Sequence, residues 1–115
     1  MTSLHGTWQP VRAELDGESA PALALESMAL VLTANAYTVS FAGEIHDSGT
    51  FAHALSTLTL TARHGPHAGR VIPALYQLVG DRLRICYGID GTLPEAFATA
   101  ANSQRYLVTY RRRDA

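Results

Sequence analysis

The side chains that could carry chemistry in this chain of 115 residues are few and scattered. His64-Gly65-Pro66-His67 sets two imidazoles three positions apart, a spacing able to chelate a metal. No carboxylate or cysteine stands beside them, so the segment reads as a solvated hairpin loop. His46-Asp47-Ser48, with His53 nearby, has the residue types of a hydrolytic triad. Neighbours on a strand point to opposite faces, so the three cannot converge. No Gly-x-Ser-x-Gly turn is present to expose a nucleophile. All nine basic residues are arginine, which excludes Schiff-base chemistry through a lysine. Cys86 is the sole cysteine, has no histidine near it in sequence and reads as a small inert hydrophobe, facing core or cavity. Tyr76, Tyr87 and Glu44 remain as acid–base groups, but spacing brings no two of them together. No catalytic residue, metal or cofactor is assigned on this basis.

The aromatics are the more informative set. Tyr37, Phe41, Tyr76, Tyr87 and Tyr106 fall on strand-like runs, as does Tyr110. Turned inward, they supply apolar walls with a few hydroxyl donors, which is what a small-molecule site requires. A core simply filled by the same rings is the competing reading.

Those rings need strands to hold them, and most of the chain has a period of two. Tyr37-Thr38-Val39-Ser40-Phe41 alternates, as do Leu58-Thr59-Leu60-Thr61, Leu83-Arg84-Ile85-Cys86-Tyr87 and Tyr106-Leu107-Val108-Thr109-Tyr110. Hairpin punctuation lies between them at Asp16-Gly17, Ala34-Asn35-Ala36, His64 to Gly69 and Gly80-Asp81. The pattern predicts eight strands, near 6–15, 28–33, 36–43, 45–53, 55–63, 70–79, 82–88 and 105–112. Short helices are expected at Ala20 to Glu26 and at Pro94 to Ala101, each led by a proline. Short strands joined by tight turns favour an all-β, eight-stranded antiparallel up-and-down barrel, because closure removes exposed edges. A β-sandwich of the same strands has the same periodicity.

Composition bounds the rest. The length suits one domain, 1–115, and the 47% apolar content suits a proper core. A net charge of −1 provides no field for nucleic acid or an anionic membrane. The longest apolar tract, Met28 to Leu32, is far too short to cross a bilayer. With no signal-peptide pattern and a single cysteine, a cytoplasmic setting is expected. Nothing in the sequence sets an oligomeric state.

Gly6-x-Trp8 at the start of the first strand resembles the lipocalin signature. The resemblance implies that Trp8 plugs one end of a barrel beneath an arginine of the last strand, supplied here by Arg111 or Arg112. A closer likeness runs through Leu4-x-Gly6-Thr7-Trp8, Tyr37-Thr38-Val39, Ser48-Gly49-Thr50-Phe51, Gly65-Pro66-x-x-Gly69 and Tyr76-x-Leu78-x-Gly80-Asp81-x-Leu83-x-Ile85-Cys86. It is to a family of small bacterial lipocalin-like domains of the planctomycete type. Leu93 stands where that family carries an arginine before Pro-x-x-Phe. The resemblance implies a fold and little chemistry. The expected function is binding of a small apolar ligand. The alternatives are a small barrel cyclase or isomerase, and a filled interaction domain without a ligand.

Overall fold

The computed structural model describes residues 4–113. The alternating runs form strands β1 (Gly6–Leu15), β2 (Glu18–Ser19), β3 (Met28–Leu32), β4 (Ala36–Phe41), β5 (Glu44–His53), β6 (Thr57–His64), β7 (Val71–Val79), β8 (Arg82–Gly88) and β9 (Arg105–Arg112). Each pairs antiparallel with the next along β3 to β9, and β1 pairs with both β3 and β9. The result is the closed eight-stranded barrel expected from the pattern, with β2 as a two-residue ribbon on the end of β1. Closure, not a pair of stacked sheets, satisfies the ladder of the first strand.

Pro10 lies inside β1, where its missing N–H would break a regular ladder. The strand accommodates it with a bulge between Pro10 and Arg12 opposite β9, leaving Val11 exposed. A second irregularity, between Val39 and Ser40 of β4, leaves His46 of β5 without a partner. Ile45 therefore points out to solvent while Asp47 returns to the inner face opposite Val39.

Helix α1 (Ala22–Glu26) forms within the first expected helical segment and buries Leu25 in the core. The second expected helix does not form. The segment from Pro94 to Ala101 is irregular chain, despite its alanines. Tertiary contacts override helix propensity there. Thr99 accepts the Gly17 amide, Arg84 stacks on Phe97 at 4.3 Å, and the Cys86 thiol lies 3.9 Å from the Ala98 carbonyl. An isolated eight-residue helix is marginal in water, so these contacts prevail. Among the described residues, no helix is long and apolar enough to cross a membrane.

One end of the barrel is sealed. Trp8 is fully buried and donates its indole N–H to the Leu4 carbonyl at 2.9 Å. The Arg112 guanidinium lies 4.3 Å over the indole, reaches the His5 carbonyl at 2.7 Å and faces Asp81 at 3.4 Å. Gly6 has φ +138°, and a Cβ there would meet Arg112 Nη1 at 2.8 Å. The glycine two residues before the tryptophan thus leaves the lane through which the guanidinium crosses. Arg111 is exposed and takes no part in the seal, because strand alternation turns it outward.

Candidate functional site

The other end of the barrel is open, framed by the end of β1, the β4–β5 turn, the loop 65–70 and the long 89–104 connection. Beneath it lies a cavity of about 130 Å³, walled by aliphatic side chains such as Leu30, Val39, Leu60 and Ile72. Its polar groups are Asp47, His67 and the hydroxyls of Tyr37, Tyr87, Tyr106 and Tyr110. The cavity meets a surface groove of about 580 Å³ at His67, Ile89 and Tyr106, and Leu15, Glu18 and Ser19 continue that groove.

Local sequence explains each polar group. Tyr37 of β4 lies opposite Gly49 of β5, where a Cβ would come within 3.0 Å of the Tyr37 ring and would collide with the Thr61 carbonyl. The glycine leaves space for the ring, whose hydroxyl donates to Asp47 Oδ1 at 3.1 Å. Burial is the main influence on the Asp47 carboxyl and raises its pKa; the Tyr37 hydroxyl, His67 and the Ser48 amide pull in the other direction. The Tyr37 phenol is pushed far above its ordinary range, first by burial and then by the Asp47 charge.

Tyr87 and Tyr110 share a buried hydrogen bond, hydroxyl to hydroxyl, at 2.7 Å. Burial pushes both phenols well up, so both keep their protons at neutral pH. Two protonated hydroxyls joined by one hydrogen bond use one proton between them, and the acceptor's own O–H is left to donate elsewhere. Tyr106 stacks on Tyr87 with ring centroids 5.6 Å apart and 25° between planes. Burial also raises its phenol.

His67 reaches the mouth because its loop folds back onto β5. Gly65, at φ +105°, sits so close that a Cβ would stand 2.5 Å from the His46 carbonyl and 3.0 Å from Asp47 Cα. Turn bonds from Ala68 to Gly65 and from Arg70 to His67 fix the loop. Across the mouth the rim is fastened by polar bonds. Arg70 donates to the Ile89 carbonyl at 2.7 Å, and Arg105 pairs with Asp90 at 2.8 Å. Hydrogen bonds from the Thr92 amide and hydroxyl and from Arg105 hold the Asp90 carboxyl at about 2.

Of the aromatics singled out by sequence, Tyr37, Tyr87 and Tyr106 line the cavity, with Tyr110 beside them. Phe41 does not. It is 41% exposed at the end of β4 and meets the His46 ring edge-on at 5.8 Å. Tyr76 does not either: it lies toward the sealed end, where its hydroxyl donates to the Ala54 carbonyl at 2.9 Å. Glu44 is exposed on the rim of β5, away from the cavity. Cys86 faces neither core nor cavity but lies under the 89–104 connection, where burial raises its pKa. His46 and Ser48 do not join Asp47 in a triad, while His67, read as solvated, is half-buried at the cavity. His64 is exposed. Among the described residues, no group of three or more His, Cys, Asp or Glu is placed to hold a metal ion.

Asp47 and His67 are functional candidates that sequence reading weighed only as part of a triad and of a chelating loop, and set aside. Asp47 was within reach, since Asp47-x-Gly49-x-Phe51 is an inward parity that matches Tyr37-x-Val39 across the ladder. His67 carried no such signal, because its position depends on how a six-residue loop folds. Chemically, the arrangement offers one ionisable carboxylate and spare phenol donors around an apolar space. Comparisons with protein-family models, with curated proteins and with solved structures returned no match.

Proposed function

We propose that this protein is a lipocalin-like binding module that holds a small, largely apolar molecule in the open end of its barrel. The cavity carries this reading: about 130 Å³ of mostly apolar space that continues into a groove at the mouth. An engineered apolar cavity of about 150 Å³ accepts benzene, so the space suits a single small ring. The seal of Trp8, Gly6 and Arg112 at the other end supports the lipocalin likeness. Catalysis finds less support, since Glu44 and Tyr76 lie away from Tyr87 and cannot act on a molecule in the cavity. The lone buried cysteine is consistent with a reducing, cytoplasmic setting.

The test is a titration with toluene followed by methyl NMR. Leu30, Val39, Leu60 and Ile72 should shift together and saturate, while Leu55, which is almost fully exposed, stays still. Ile72→Phe, which fills the cavity, should abolish the shifts. Wild-type cavity methyls that never move at saturating toluene would overturn the proposal.

A further inference from the structure

We infer that the ligand is a small organic amine, bound as its cation by the Asp47 carboxylate within the ring of cavity tyrosines. The inference rests on the binding reading above and names the ligand class. Among the described residues, Asp47 is the only carboxylate on the cavity wall, and no arginine lines it. An anionic ligand would meet that like charge with only the His67 imidazole to offset it, which is costly in an apolar space. A cation meets the opposite situation.

The carboxylate has acceptor capacity left. Of its roughly four lone-pair sites, the Tyr37 hydroxyl and the Ser48 amide engage two. Aromatic rings stand near it, and the face of such a ring attracts an ammonium group within about 6 Å of its centroid. Tyr37, Tyr87, Tyr106 and Tyr110 all border the same space. The approach matches: Glu18 lines the outer groove, so the path inward passes one carboxylate and ends at another. An apolar body fits against Leu60 and Ile72, and a longer tail can leave through the groove.

The experiment compares benzylamine with benzyl alcohol and toluene, which share its ring and size, by calorimetry and methyl NMR. Benzylamine should bind at least about tenfold more tightly than benzyl alcohol, the scale of one desolvated cation–π and charge pairing. Asp47→Asn, which keeps an acceptor for Tyr37, should erase that preference. Equal binding of amine and alcohol to the wild-type protein would overturn the amine inference and leave the cavity reading intact. No binding of any of the three would overturn both. Should Asp47→Asn fail to fold, the wild-type comparison decides alone.

Discussion

Replacing Arg112 by methionine removes the charged cap on the sealed end but keeps an alkyl chain over the indole. The cation–π contact at 4.3 Å contributes about 1 kcal/mol at a half-exposed site. The 2.7 Å bond to the His5 carbonyl contributes about 1 kcal/mol more. The pairing with Asp81 adds little, because that carboxylate is 78% exposed. The sum is about 2 kcal/mol. Unfolding entropy of about 2.1 cal/mol/K per residue, over 115 residues, converts each kcal/mol into about 4 °C. Arg112→Met should therefore lower Tm by about 8 °C.

Gly6→Ala tests the same geometry from the other partner. It places a Cβ at a left-handed φ, at a cost of about 1–3 kcal/mol, and displaces the guanidinium from its lane. The second part has nothing left to act on once Arg112 is methionine. The double variant should thus be more stable than the sum of the singles predicts, by about 1 kcal/mol. Urea unfolding followed by the fluorescence of Trp8, the sole tryptophan, measures all four corners of the cycle. Additivity within about 0.3 kcal/mol would mean that Gly6 does not serve Arg112. An unchanged Tm in Arg112→Met would refute the seal itself.

Two further outcomes follow from buried groups. The native Asp47 carboxyl has a raised pKa, chiefly from burial, so its contribution to stability is present below the ordinary carboxylate range and is lost as pH rises through the raised value. Asp47→Asn should therefore gain stability relative to wild type as pH rises above the ordinary carboxylate range of about 4, and a pH-independent difference in chemical denaturation would contradict this. Cys86 is fully buried beneath the connection that Phe97 anchors under Arg84, so native-state alkylation should be slow. Phe97→Ala should accelerate it by about fivefold or more by loosening that segment, and an unchanged rate would show that something else covers the thiol.

The strands were legible because a period of two is a local property of the chain, whereas closure into a barrel rather than a sandwich was decided by the pairing of β1 with β9. Leu83-Arg84-Ile85 alternates whatever its neighbours do, and a strand that buries one face needs a partner face. The sealed end was legible too, as a glycine, a tryptophan and a basic run at opposite ends of the sequence. Which arginine caps the indole was not, because alternation along β9 and its register with β1 select Arg112 over Arg111. The Pro94 to Ala101 segment shows the opposite failure: its composition favours helix, but Cys86, Arg84 and Glu14 lie where extended chain makes better contacts.

By itself, the order of residues determined the faces of the strands, the sites of the turns and the burial of Trp8. Only the tertiary structure decided which polar groups meet. His67 arrives because Gly65 lets its loop press against β5, while a bulge at His46 turns Ile45 outward and leaves Asp47, on the parity of Phe51, opposite Val39 and bonded to Tyr37. The loop contact and the bulge are long-range packing events, and neither leaves a periodic trace in the chain. The result is a carboxylate among phenols at the mouth of an otherwise apolar chamber.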